Sequence, residues 1–381
     1  MQHRRRGRAR WVPVGAAMAA AALSVGGGLW IWIDDSGAPS GISAAAPRAS
    51  ADPRIGCGAK GQLPGSGSTA QQNAMKYWIK EYQRACPGAQ VAYNPVGSTA
   101  GVAQFLRVAT AFGGTDGALS PDDVKQSRGA CPGGHGIDLP MVGGPIAVGY
   151  NLPGVNDLVL DAPTLARIFD SVITRWNDPA IQALNPSTEL PDLVIQAVHR
   201  SDGSGTTQNF SAYLAGAAPQ HWPYPAAKSW QGRGGHSAKG SDGVATEVNT
   251  TSGAIGYFEL SFATARGIPT VKVATGALEP VAPTPKAASA GIATAKVTGK
   301  GKNITLQLDY STKDAGAYPI VLITYEIVCD RGNQPATLPL LKSFLAYTAG
   351  EAGQRVLLGI QYAPLPEIIA ARVRAVVGTL S

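Results

Sequence analysis

Charge is scarce in this chain: only 15% of its 381 residues are Asp, Glu, Lys or Arg. The net charge of +7 looks basic, but Arg4, Arg5, Arg6, Arg8 and Arg10 supply five of it. The remainder is close to balanced and has neither a basic stripe nor an RNA-binding signature, which argues against a nucleic-acid partner. Cysteine is scarce too. Cys57, Cys86, Cys131 and Cys329 form no C-x-x-C, and the five histidines show no H-E-x-x-H or comparable spacing, so nothing points to zinc or to another cofactor. No G-x-S-x-G elbow and no phosphate-cradling G-x-x-x-x-G-K-[ST] loop occurs. There is no internal repeat.

What the chain does have is apolar mass and many breakers: 44% hydrophobic residues, 47 glycines and 28 prolines. That suffices for a buried core, and the length favours two lobes over one. Residues 11–33, "WVPVGAAMAAAALSVGGGLWIWI", run without a charge and are long enough to cross a membrane as a helix. Five arginines before the run and Asp34–Asp35 after it put the N-terminus in the cytoplasm. The rival is a secretory signal cleaved at Ala44-x-Ala46, although that site lies well beyond the end of the run. Either way the body is exported, and an even cysteine count in that compartment favours two disulfides.

Residues 34–56 are small, polar and proline-broken, as in a linker. From Cys57 onward, strands alternate with helices, which predicts an α/β fold with mostly parallel sheets. Met75, Trp78, Ile79 and Tyr82 mark one face of a helix over about 70–85. "QVAYNPV" (90–96) and "LVIQAV" (193–198) read as strands. "LPMVGGPIAVGYNL", broken at Gly143–Gly144–Pro145, and "YPIVLITYEIV" (318–328) read as apolar runs crossing between lobes. Residues 276–302, rich in Ala, Pro, Gly and Lys, have no assignable place.

Three stretches pass from a strand through Gly/Ser/Thr into a helix: "LPGSGSTAQQ" (63–72), "NPVGSTAGVAQF" (94–105) and "HRSDGSGTTQNF" (199–210). A helix start leaves backbone N–H groups unpaired and carries partial positive charge, so it can hold an anion. Singly, each loop is explained by a helix cap worth about 1 kcal/mol. Three of them, one fronted by Arg200 and Asp202, point to an anion site if they converge in space. His199 and Arg200 sit on opposite faces of a strand, so His199 is a packed strand residue rather than a base for Ser204.

These motifs resemble the extracytoplasmic phosphate-binding proteins of the high-affinity phosphate ABC transporter, most closely the actinobacterial members. The resemblance runs from Gly58 to the C-terminus. It rests on "RSDGSGTTQNFSAYL", on "NPVGSTAGVAQF" followed by "AFGGTDGAL", and on "ITRWNDPAIQALNP", "GSDGVATEVNTTSGAIGYFELSFA" and "YPIVLITYEIV" in the family's order. It implies a type II periplasmic-binding-protein fold with lobe 1 at 57–142 and 322–381, and lobe 2 at 143–321. Inorganic phosphate would bind between the lobes, without chemistry, for delivery to permease subunits.

By position, the resemblance implies donors at Thr69, Ala70 (where the family usually has an aromatic residue) and Ser98. Asp116 would accept the phosphate's own proton. Arg200 would pair with the anion, oriented by Asp202, while Ser204, Gly205 and Thr206 donate N–H and hydroxyl groups. Two alternatives stay open: a membrane-tethered phosphate sensor or scavenger, and a phosphoesterase. The expected disulfides are Cys57–Cys86, whose cysteines precede neighbouring strands, and Cys131–Cys329, joined where a strand returns to lobe 1.

Overall fold

A computed structural model of the chain describes residues 55–381; the apolar run 11–33 and nearly all of the 34–56 segment lie outside the described residues. Eight strands form the main sheet: β1 (Gly61–Gly67), β2 (Ala89–Pro95), β3 (Phe112–Thr115), β4 (Gly136–Tyr150), β5 (Gln196–Arg200), β6 (His236–Ala238), β7 (Ala254–Glu259) and β8 (Val321–Cys329). Their spatial order is β2-β1-β3-β8-β4-β7-β5-β6. Both ends of the sheet are parallel, β1 with β2 and β3, and β5 with β6 and β7. The centre is antiparallel, with β8 between β3 and β4, and β4 against β7. This mixed α/β architecture is that of a type II periplasmic binding protein.

The two expected crossing runs are the two central strands. Every residue of β4 and of β8 is buried, as expected of mostly apolar strands covered on both faces, and that burial includes Asp138 in β4 and Thr324 and Glu326 in β8. β4 changes partner at its Gly-Gly-Pro break: Gly136–Pro145 pair with β8, and Ile146–Tyr150 pair with β7. One apolar core gathers Leu63, Trp78, Tyr82, Phe112, Leu139, Phe344 and Val373. A second gathers Ile146, Phe169, Trp176, Phe210, Trp222, Tyr257 and Tyr318.

The first helix, α1 (Gln72–Ala85), buries Ala74, Met75, Trp78 and Tyr82, while Ile79 is only half-buried at the edge of the stripe. Then come α2 (Ser98–Leu106), α3 (Pro121–Ala130), α4 (Gly205–Ala217) and α5 (Gly240–Thr250). The strand expected at 193–198 begins later and reaches Arg200, so the arginine stands at its very end. Residues 276–302 contain the helix Pro285–Ala293. Thr284 caps it by accepting from the Ala287 N–H at 3.1 Å, with Pro285 in the first turn where its missing N–H costs nothing. That helix packs Ala287, Ala288 and Ile292 into the second core. The cysteines form two disulfides, Cys57–Cys86 and Cys131–Cys329. Among the described residues no helix is long and apolar enough to cross a membrane.

Candidate functional site

The three Gly/Ser loops converge, and a fourth joins them. Thr69, in the loop after β1, shares a 3.0 Å hydrogen bond between hydroxyls with Ser241 on α5 and accepts the Ser241 N–H at 3.1 Å. Ser98 opens α2, and its hydroxyl accepts the N–H of Gly205, the first residue of α4, at 3.0 Å. The Thr99 N–H donates to the Gly203 carbonyl at 3.0 Å. Two glycines permit this approach. A Cβ on Gly97, whose φ is +95°, would lie 2.3 Å from the Asp202 carboxylate, and one on Gly205 would lie 2.6 Å from the Asp116 Cβ.

Four helices begin at this junction. α1, α2 and α5 have no side-chain cap from their own N-cap residue, although across the junction the Gly240 and Ser241 N–H groups of α5 donate to Asp202 and Thr69 and the Thr99 N–H of α2 donates to the Gly203 carbonyl. α4 is the exception: the Ser204 hydroxyl accepts from the Thr207 N–H at 3.2 Å. The Ala70 N–H is likewise engaged, donating to the Ser68 hydroxyl at 3.0 Å.

Arg200 is 2% exposed. Its Nε and Nη2 donate to the two oxygens of Asp202 at 2.7 and 2.5 Å, and Nη1 lies 3.5 Å from the Ser241 hydroxyl. This fork-to-carboxylate pairing fixes the guanidinium plane, leaving the Nη1 edge for another partner. Asp202 also accepts the Gly240 N–H at 2.9 Å. Burial pushes its carboxyl up, but the Arg200 hydrogen bonds and charge, with the Gly240 N–H, hold it below the usual carboxylate range.

Asp116, the residue after β3, is 3% exposed. Four hydroxyls address it. Ser68 and Thr324 donate to Oδ1 at 2.5 and 2.8 Å, while Thr206 and Ser98 reach Oδ2 at 3.3 and 3.5 Å. Burial raises the carboxyl above its ordinary value; the hydroxyls of Ser68, Thr324 and Thr206 and the Arg200 charge oppose that rise without cancelling it. The Asn209 amide donates to the Asp116 carbonyl at 2.7 Å, tying α4 to β3.

All eight expected contact residues, Thr69, Ala70, Ser98, Asp116, Arg200, Ser204, Gly205 and Thr206, therefore meet at one buried junction, with Asp202 behind Arg200. His199 stacks on Trp230, centroids 5.1 Å apart and planes within 7°, and its Nδ1 lies 3.1 Å from the Arg200 carbonyl. It is not paired with Ser204. Among the described residues no group of three or more His, Cys, Asp or Glu side chains could hold a metal.

Sequence reasoning missed Ser68, Ser241 and Thr324. A signal existed for Ser241: "SAKGSDGVATE" is a fourth strand–Gly/Ser–helix passage like the other three. Thr324 left only a small hydroxyl beside Tyr325 and Glu326 in the mostly apolar "VLITYEIV".

Over residues 53–352 the chain matches the model of the PBP superfamily domain. It is 43% identical over 334 residues to the phosphate-binding protein PstS3 of Mycobacterium bovis (strain BCG / Pasteur 1173P2), spanning 87% of this chain and 90% of that protein. To the phosphate-binding protein PstS 2 of Mycobacterium tuberculosis (strain H37Rv) it is 42% identical over 332 residues, spanning 86% and 89%. The solved structure of the high-affinity periplasmic phosphate-binding protein PfluDING, bound with phosphate, superposes with a TM-score of 0.67 at 21% identity, covering 83% of this chain and 93% of that one. A proposed phosphate ABC transporter substrate-binding protein from Clostridium perfringens, with bound phosphate, superposes at 0.58 with 18% identity over 80% and 100%. These structures share the fold.

Proposed function

From the premise that the chain belongs to the PBP superfamily, among its PstS-type phosphate-binding proteins, we propose that it binds inorganic phosphate at the junction of the four loops and hands it to an ABC permease. The observation that carries this reading is the convergence of a buried, Asp202-held guanidinium and a buried, hydroxyl-ringed carboxylate at a junction where three helices start without side-chain caps. Uncapped helix starts and one arginine supply positive potential for an anion. The carboxylate repels any anion that cannot place a proton on it. Phosphate keeps at least one proton near neutral pH.

In this reading the Nη1 edge of Arg200 and the hydroxyls of Ser98 and Thr206 turn to the phosphate oxygens. The backbone N–H groups of Thr69 and Thr206 complete the shell, their neighbours Ala70, Ser204 and Gly205 donating within the protein and so shaping the loops around the anion, and Asp116 accepts the ligand's proton. The two larger apolar cores lie mostly within two lobes, 57–142 with 322–381, and 143–321, the second also taking in Leu322, Ile323 and Tyr325 of β8. β4 and β8 are the hinge between them, so lobe closure buries the anion. No bond of the ligand is made or broken. The body works outside the cytoplasm, where its disulfides are stable, tethered through residues 11–33. Titration calorimetry of ligand-stripped protein with phosphate tests the reading. It predicts saturable one-to-one binding, and the absence of binding overturns it.

A further inference from the structure

The two oxygens of Asp116 are not equivalent. Oδ1 receives the two short hydroxyl contacts, from Ser68 at 2.5 Å and Thr324 at 2.8 Å, whereas Oδ2 has only the longer ones from Thr206 and Ser98. The second pair are the hydroxyls that turn to the anion in the reading above. The first pair are committed. Ser68 accepts the Ala70 N–H at 3.0 Å, which leaves its proton for Asp116, and Thr324 is fully buried.

Thr324 also stands beside an irregularity of the sheet. Thr324 pairs with Val142 and Tyr325 with Pro140, so β4 carries Met141 as an extra residue opposite that step. Such a bulge re-aims neighbouring side chains and recurs beside functional sites.

We propose that Ser68 and Thr324 are positioning residues that set the anion specificity of this site, holding Asp116 ionised with Oδ2 alone presented to the proton of the bound anion. This rests on the phosphate reading. Two O–H donors converging on Oδ1 leave no room for a proton there, so any proton shared with the ligand lies on the Oδ2 side. They also offset the burial that favours the neutral acid. A neutral Asp116 would offer an O–H donor to a fully deprotonated anion and so lose the discrimination. The other titratable or charged groups that sense or influence Asp116 are Arg200 from β5, Lys228 from the segment before β6, Glu259 at the end of β7, Glu326 from β8 and Tyr93 from β2. None of them is altered in the test.

The test measures phosphate and sulfate affinity of the full chain between about pH 5 and about pH 8.5 for wild type, Thr324→Val, Thr324→Ser and Ser68→Ala. Thr324→Val keeps the shape and removes the donor. It should weaken phosphate about tenfold, the loss of one charge-assisted hydrogen bond. It should also admit sulfate, most at the acid end, and move the acid limb of phosphate binding to higher pH. Thr324→Ser should restore all three, and Ser68→Ala should behave as Thr324→Val does. Because Ser68→Ala also strands the Ala70 N–H and so threatens the loop itself, the Thr324 pair decides the matter if that variant does not fold. Wild-type selectivity and pH profile in Thr324→Val overturn the proposal, as does a uniform loss of affinity at every pH with selectivity unchanged. A wild type that binds no phosphate overturns the underlying reading instead.

Discussion

Truncating Arg200 to alanine removes a side chain that is 1% exposed and strands the carboxylate of Asp202, itself 12% exposed, with the Gly240 N–H as its remaining donor. Breaking a buried ion pair by deleting one member costs about 3–5 kcal/mol. The partial access of Asp202 to water puts the loss near the lower figure. A chain of this size tolerates that: about 3 kcal/mol corresponds to a fall in Tm of roughly 4 °C. Phosphate affinity should fall by about 2–5 kcal/mol, roughly thirty- to several-thousand-fold. Arg200→Lys restores charge without the planar fork and should recover only part of the affinity.

The pH dependence has a fixed sign. Asp202 is held below its ordinary range, so the stability it contributes is complete above about pH 4, the unfolded value, and is lost as pH falls through the folded one. Without Arg200, protonation relieves a stranded charge, so wild type and variant should converge in stability as pH falls below about 4. Thermal unfolding without ligand and phosphate titration read the two effects separately. Unchanged phosphate affinity in Arg200→Ala would refute the role of the guanidinium. An unchanged Tm would refute the buried pair.

Reduction should destabilise the chain in proportion to the loops released. In the chain-entropy model the Cys57–Cys86 link, 29 residues apart, contributes about 3–4 kcal/mol, and Cys131–Cys329, 198 apart, about 5 kcal/mol; Cys→Ser pairs followed by denaturant unfolding should preserve that order. Glu259, whose hydroxyl and N–H partners are both on Ser261, is pushed by burial up to about 8. Its contribution is present below the unfolded carboxylate value of about 4.3 and is lost as pH rises towards about 8, so Glu259→Gln should flatten the decline in Tm across that window. The uncharged 11–33 run predicts that the full chain sediments with membranes and resists carbonate extraction; soluble material beginning near Pro47 would instead establish a cleaved signal.

Local rules made the loops legible, because a Gly/Ser/Thr run between an apolar strand and an amphipathic helix leaves few conformations open. The Arg200–Asp202 pair could be read two residues apart at a strand end, and the structure joins them with two hydrogen bonds. The helix over 72–85 followed from its apolar spacing. Thr324 could not be found this way. It reaches Asp116 across 208 positions of sequence, from a strand whose pattern announces only burial, opposite a one-residue bulge that periodicity does not register. The commitment of the Ala70 N–H to Ser68 was equally hidden, since a serine two residues earlier in a loop has many rotamers before the fold selects one. The helix Pro285–Ala293 escaped because Ala, Gly and Ser give little amphipathic contrast; its Thr284–Pro285 start was the legible part.

The central claim is that Asp116 reads a proton, and the direct measurement is phosphate against sulfate affinity in wild type and Asp116→Asn. Sulfate matches phosphate in size and shape but carries no proton near neutral pH, so it meets the carboxylate with nothing between the charges. A site built to accept a ligand O–H rejects the analogue lacking it by about 10⁴-fold or more. In Asp116→Asn the hydroxyls of Ser68 and Thr324 select the amide oxygen for the Oδ1 position. The NH₂ must then face the anion as a donor. Wild type should bind phosphate and ignore sulfate, and Asp116→Asn should bind sulfate and lose most of the discrimination. Comparable binding of both anions by wild type, or undiminished selectivity in Asp116→Asn, would contradict the account.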